Sequence, residues 1–359
     1  MWLWARPKYL RPMTFREIVG HRRLVGLLAR AIEHGSLPPS LIFAGPEGVG
    51  KRQVALAVAQ AVNCLRPVTD PATGLRDACG ACAACGKIAR GQHPDVLRVT
   101  RFEDKSEIII DQVREVVRQV GYRPFEGRQR VVVFERADDL NPNSQNALLK
   151  VLEEPPPNNV FMLVTAMPAE LLDTVRSRCC QLRFAPLAPG DIASALIARH
   201  GYGERDARAA AAMASGSFGR ALESASGEVA EARAVAAAIL TEAARARDPR
   251  SRLAVGAALL EAGGRKKKDG KGQGGERGAL AVRLRAMASL LRDVTILTTR
   301  APEHALVNLD LRADLEPLAR HYDRERLGHA FSAVGRALSA LERNNASPKI
   351  VVDWLAFQL

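Results

Sequence analysis

No stretch of this 359-residue chain holds the ~20 consecutive apolar residues that a membrane span needs. Its first residues, Met1-Trp-Leu-Trp-Ala-Arg, lack the long apolar region of a secretion signal. A cytoplasmic location without a membrane partner is therefore expected. Aromatic residues make up only 5% of the chain although 47% of it is apolar. Alanine, leucine and valine must then build the core, and such a composition favours helix. Acidic residues are short too: 39 stand against 52 lysines and arginines, a net charge of +13. That balance suits a polyanionic neighbour, nucleic acid above all, because contacts to phosphates release counterions. A solvated basic surface is the plainer alternative. The seven histidines are scattered without a catalytic metal pattern, and no Ser/His/Asp or Cys/His nucleophile set stands out. The length suffices for two or three domains, each with its own core.

What is present begins with Leu41-Ile-Phe-Ala44, an apolar run that breaks into Gly45-Pro-Glu-Gly-Val-Gly50-Lys51 ahead of a helical alanine pattern. Gly45, Gly48 and Gly50 let backbone N–H groups turn inward around a polyphosphate, the positive end of the next helix helps hold it, and Lys51 adds a point charge. One part of the motif is missing. Arg52 replaces the hydroxyl that should follow the lysine, and an arginine cannot ligate magnesium. A second departure closes Val131-Val-Val-Phe134, a run apolar enough for a strand buried on both faces. Phosphate-loop ATPases end this strand in a magnesium-orienting aspartate, often followed by a glutamate that activates water. Here those places hold Glu135 and Arg136. The loop is expected to accept phosphate, as ATP or ADP, and not to hydrolyse it.

The second strong signal is the spacing C-x14-C-x2-C-x2-C formed by Cys64, Cys79, Cys82 and Cys85. Four thiolates satisfy a closed tetrahedral Zn²⁺ site, and the x2 spacings let successive cysteines point at one centre. A structural zinc module over about residues 64–90 is expected, with an extended loop between Cys64 and Cys79. Disulfides are the weaker alternative in a reducing compartment. His93 reads as part of the lead into the next strand. Strands near residues 41, 96, 131, 160 and 181, with helices between them, give a five-stranded parallel α/β domain over 1–186.

The phosphate loop, the four cysteines, Asn146-Ala-Leu-Leu-Lys-Val-Leu-Glu-Glu-Pro155 and Ser177-Arg178-Cys179 together resemble the delta-prime family of bacterial DNA polymerase III clamp-loader subunits, of the AAA+ class. The resemblance implies an AAA+ core followed by a small helical lid (187–228) and an all-α collar domain (229–359). It also implies that Arg178 is presented in trans to a nucleotide held by a neighbouring motor subunit, where a guanidinium stabilises charge on the γ-phosphate. Arg220 matches a position that senses nucleotide in such lids; a helix-start role is the preferred reading. The implied partners are motor subunits of tau/gamma type, a clamp-opening delta subunit, and, through the complex, the sliding clamp and primer-template DNA. The chain would be a non-hydrolysing stator and an accessory subunit of a DNA-directed DNA polymerase holoenzyme, with no catalytic centre of its own. An autonomous DNA-dependent AAA+ ATPase and a zinc-containing DNA-binding module with a degenerate ATPase fold are the alternatives. Within the collar, residues 263–278 hold seven glycines and six basic residues in sixteen, a composition expected to be disordered. A DNA contact by Arg265 to Lys268 is the sharper reading of that loop. The remainder repeats leucine at helical spacing, read as helices that assemble a collar; an ordinary helical core would show the same pattern.

Overall fold

The computed structural model describes residues 13–359 apart from 72, 103–104, 106, 224–225, 247, 262–273, 300–305, 307, 309–310 and 343–345. The chain divides into two compact units, Met1–Ala188 and Pro189–Leu359. Among the described residues no helix is long and apolar enough to cross a membrane.

The first unit is built on seven strands: β1 (Ser40–Ala44), β2 (Val68–Thr69), β3 (Arg76–Asp77), β4 (Val96–Val99), β5 (Arg130–Phe134), β6 (Asn159–Thr165) and β7 (Cys180–Arg183). Five of them form one sheet in the order β4-β5-β6-β1-β7, with every neighbouring pair parallel. Its helices are α1 (Arg22–Glu33), α2 (Lys51–Asn63), α3 (Ala83–Ala89), α4 (Ile110–Val120), α5 (Pro142–Glu153) and α6 (Asp173–Arg176). Strand alternation sorts the core into two layers. Leu41, Phe43, Val131, Val133, Val160 and Met162 pack on one face with Leu28, Val54 and Val58 of α1 and α2. Ile42, Ala44, Val132, Phe134, Phe161 and Leu163 pack on the other with Val113, Val116 and Leu148 of α4 and α5. Burial on both faces explains why these strands are continuous apolar runs. At the sheet edge only Leu182 of β7 is buried.

One local detail differs from the expectation. The 64–79 segment is more than a loop: β2 and β3 pair antiparallel around a turn in which Gly74 is left-handed (φ 68°) and Thr73 Oγ1 donates to Asp70 Oδ2 at 2.8 Å. Ahead of α4, Ile108 makes an isolated parallel bridge to Leu140.

The second unit is all helix: α7 (Pro189–His200), α8 (Glu204–Met213), α9 (Phe218–Glu223), α10 (Ser226–Arg245), α11 (Pro249–Glu261), α12 (Gly274–Thr298), α13 (Arg312–His321), α14 (Arg324–Glu342) and α15 (Pro348–Ala356). Its core joins Leu240 of α10 to Leu284, Met287 and Leu291 of α12, Leu318 of α13, Val334 of α14 and Val352 and Leu355 of α15. Met213 of α8 belongs to the same cluster, and the boundary expected at 228/229 falls inside α10. Most of the glycine-rich stretch, with Arg265 to Lys268, lies outside the described residues. Its end does not: α12 starts at Gly274, and Arg277 Nη2 donates to the Ala346 carbonyl at 3.1 Å, a tertiary anchor that composition could not reveal.

Candidate functional site

The phosphate loop leaves the carboxyl end of β1 and closes on the amino end of α2. Gly45 cannot carry a side chain there, because a Cβ would lie 2.3 Å from the Phe184 carbonyl oxygen beyond β7. Gly48 (φ 75°) and Gly50 (φ 100°) take the left-handed conformations that turn the backbone into a cradle. Lys51 is 6% exposed, and its Nζ donates to the carbonyls of Gly45 (2.5 Å) and Pro46 (2.6 Å). Burial lowers its pKa to about 8, against the opposing pull of Glu47 and Asp138. His21, in a left-handed conformation at the head of α1, shares a hydrogen bond between Nε2 and the Val49 carbonyl (2.9 Å) and sets its ring edge-on to Phe184 at 4.9 Å. The sequence reading did not assign His21 to this site.

Where an ATPase would gather magnesium, this chain gathers guanidinium groups. Arg52 Nη1 lies 3.0 Å from Glu135 Oε2, and Arg98 Nε donates to Glu135 Oε1 at 2.5 Å. Both oxygens of this buried carboxylate are thus occupied by cations. Arg136 turns away to Asp139 (3.2 Å), Glu47 (3.7 Å) and Asp138 (3.8 Å). The Thr165 hydroxyl, at the end of β6, accepts from the Met167 N–H at 3.0 Å. Arg98 could have been noticed earlier, as a charge inside the apolar run of β4. The acidic oxygens of the cluster are committed to arginines.

Arg178 sits elsewhere. It precedes β7, which pairs in parallel with β1 through Leu41↔Cys180, so it lies at the amino ends of strands whose carboxyl ends carry the phosphate loop. Its guanidinium donates to the Thr174 carbonyl (2.8 Å) and pairs with Glu153 at the end of α5 (2.5 Å). Arg220 belongs to the second unit, where its backbone N–H donates to Ser217 Oγ (3.3 Å) at the start of α9.

The four cysteines converge. Their sulfurs all lie within 4.8 Å of one another, and Cys64 Sγ is 4.0 Å from Cys82 Sγ. A tetrahedron with Zn–S bonds of about 2.3 Å has edges of about 3.8 Å, so the thiols are placed to bind one metal ion such as zinc. Backbone N–H groups already point at the sulfurs: Cys79 N to Cys64 Sγ (3.2 Å), Cys82 N to Cys79 Sγ (3.3 Å) and Ala81 N to Cys79 Sγ (3.4 Å). Burial pushes the Cys82 thiol up, but the N–H groups of Cys85 and Leu65 and neighbouring thiols outweigh it and hold the thiol at about 6. Burial pushes Cys64 and Cys85 upward. Asp77 of β3 accepts from the N–H groups of Phe15 (3.0 Å) and Arg16 (3.2 Å), tying the amino-terminal segment to the module. His93 is no ligand here: Nδ1 accepts from Asp95 N (3.2 Å) and Nε2 faces Glu126 (3.6 Å). Cys179, outside the cluster, has its thiol pushed up to about 12 by burial and by Cys180.

Comparison with known proteins agrees with this geometry. Residues 20–188 match the family model described as DNA polymerase III, delta subunit. The delta' subunit of DNA polymerase III from Pseudomonas aeruginosa is 43% identical over 150 residues, 42% of this chain and 43% of that one. The tau/gamma subunit from Haemophilus influenzae is 34% identical over 177 residues, 49% of this chain and 24% of that one. The matches thus span less than half the length of either relative. Among solved structures, a DNA polymerase III gamma subunit-related protein from Thermotoga maritima aligns over 92% of this chain and 96% of that one, at 16% identity and a TM-score of 0.39. An overlap that loose carries no argument. Residues 20–188, the α/β core with its cysteine cluster, are the part of the chain that matches the DNA polymerase III delta-subunit family model.

Proposed function

We propose that this chain is a non-hydrolysing subunit of the DNA polymerase III clamp loader, helping to place the sliding clamp on primed DNA. The observation that carries the non-hydrolysing part is the double arginine clamp on Glu135. With Arg52 and Arg98 on its two oxygens, magnesium would have to displace a guanidinium, and Arg136 cannot activate water. The chain is then an accessory subunit without a catalytic centre of its own. Its phosphate loop, through Gly45, Gly48, Gly50 and Lys51, holds ATP or ADP as a structural ligand.

Arg178 acts in trans in this reading. Its place at the opposite end of the sheet keeps it from its own chain's loop: β1 alone, five residues at about 3.3 Å each, separates the two. Motor subunits of tau/gamma type would receive the arginine, and ATP bound next door would favour the arrangement competent to open the clamp. The pairing with Glu153 is exchanged for the γ-phosphate on assembly. Cys64, Cys79, Cys82 and Cys85 hold a structural Zn²⁺. In the second unit the exposed Ile350 and Trp354 of α15 and Phe357 just past it, at helical spacing, support a collar that binds its neighbours, the delta subunit among them.

The test is DNA- and clamp-stimulated ATP hydrolysis by a reconstituted loader, comparing the intact chain with Arg178→Ala at equal assembly. A fall in rate of roughly a thousandfold, as for other trans-acting arginines, is expected at the dependent site. An unchanged rate makes Arg178 structural, and failure of the intact chain to assemble removes the clamp-loader assignment. Phosphate release by the pure chain with magnesium would instead favour an autonomous ATPase.

A further inference from the structure

The loop between α4 and β5, residues 121–129, carries the two most exposed large apolar side chains among the described residues: Phe125 at 84% and Tyr122 at 70%. In a chain with 5% aromatic residues that concentration is unusual. The loop's backbone is fixed. The buried Asp95 carboxylate accepts from the N–H groups of Phe125 (2.7 Å), Glu126 (2.8 Å) and Gly127 (2.8 Å). Arg130 donates to Asp95 (3.0 Å) and to the carbonyls of Tyr122 (3.0 Å) and Arg123 (3.2 Å). Asn63, at the end of α2, exchanges hydrogen bonds with the Gln129 backbone at 3.0 and 3.1 Å. The rings are therefore held outward by design of the loop, not by slack in it.

The charge left unpaired in the loop is basic. Glu126 is the only acid in the loop, and Lys87 neutralises it at 2.6 Å. Arg123 and Arg128 are exposed, and among the described residues no acidic side chain pairs with either. Two outward rings three residues apart, with two available guanidinium groups, supply what a single strand of nucleic acid requires: faces for unpaired bases and charges for its phosphates. A duplex buries its base faces and can use only the charges.

We propose that this loop is a binding surface for single-stranded nucleic acid, with Tyr122 and Phe125 stacking on bases and Arg123 and Arg128 holding phosphates. It lies at the amino end of β5, away from the phosphate loop at the carboxyl end of β1. The proposal goes beyond the clamp-loader reading and is measured on the chain alone, so either can fail without the other.

Fluorescence anisotropy of the full chain with a labelled oligothymidylate of about 20 nucleotides, and with a duplex of equal length, tests it. The double variant Tyr122→Ala/Phe125→Ala should weaken single-strand binding roughly tenfold or more while leaving duplex binding and the urea midpoint unchanged. Arg123→Ala/Arg128→Ala should weaken both and flatten the salt dependence by a slope of about two. The proposal is overturned if the intact chain does not bind the oligonucleotide, or if the aromatic variant binds it as tightly as the parent. An aromatic variant that keeps DNA binding but loses affinity for an acidic protein subunit would make the rings a protein anchor instead.

Discussion

Arg52 and Glu135, 83 residues apart in sequence, meet at 3.0 Å at the mouth of the phosphate loop. Each departs from what an ATPase carries at its position, and the two departures satisfy each other. A hydroxyl and an aspartate that would have shared a magnesium ion are replaced by a cation and an anion that need none.

Nucleotide affinity should therefore be indifferent to magnesium. Isothermal titration with ADP is expected to give the same affinity in magnesium and in chelator, and Arg52→Thr should introduce a preference for magnesium of roughly fivefold, about 1 kcal/mol. A strong magnesium dependence in the parent chain would contradict the arginine clamp.

Affinity for nucleotide should also fall as pH rises through about 8, where Lys51 loses its proton. The sign follows from the depressed value: an ordinary lysine stays charged to about 10.4, whereas this one is neutral above its lower pKa. Lys51→Arg should abolish that decline, because arginine stays charged throughout.

The two arginines on Glu135 should differ in their worth to stability. The Arg98 side chain is 8% exposed and that of Arg52 42%. Urea denaturation should show a loss of about 3–5 kcal/mol for Arg98→Ala, a broken buried pair, and about 1 kcal/mol for Arg52→Ala.

Asp95 should set part of the acid limit. Burial alone would raise its carboxyl, but three backbone N–H groups and Arg130 hold it below the usual range. A depressed carboxylate contributes stability that is complete above the unfolded value of about 3.9 and is lost as pH falls through the folded value. Asp95→Asn should cost about 3–5 kcal/mol at neutral pH and flatten the decline in urea midpoint below about pH 4.

Removing metal should loosen the cysteine module. One zinc per chain is expected by atomic absorption, and Cys85→Ser, at a fully buried position, should lower both zinc content and thermal midpoint more than Cys79→Ser. A metal-free chain with an unchanged midpoint would refute the structural role.

Much of this was legible in the residues. The central strands β1, β5 and β6 are mostly apolar runs, and the glycines of the phosphate loop and the cysteine spacings carry their geometry locally, so reading them needs no tertiary knowledge. What could not be read were partners distant in sequence. Arg52, Glu135 and Arg136 showed that metal chemistry was impaired, but not that Arg98 completes a clamp, because nothing in β4 announces which carboxylate its arginine will meet. Asp77 gave no sign that it would bind the backbone of Phe15, 62 residues away. Phe125 and Tyr122 look like any loop aromatics until Asp95 is seen to fix the backbone beneath them.

The absent side chain at Gly45 has one more consequence. The loop touches the Phe184 backbone just past one end of β7, while Arg178 stands just before the other end. Four residues of strand, about 13 Å, join a phosphate cradle to an arginine as a stiff strut, with backbone rather than side chain at the loop end to take up slack. Filling or emptying the cradle should therefore shift the far end of the strut, so that a loop proposed to bind nucleotide without hydrolysing it would still report its occupancy to whatever the arginine touches.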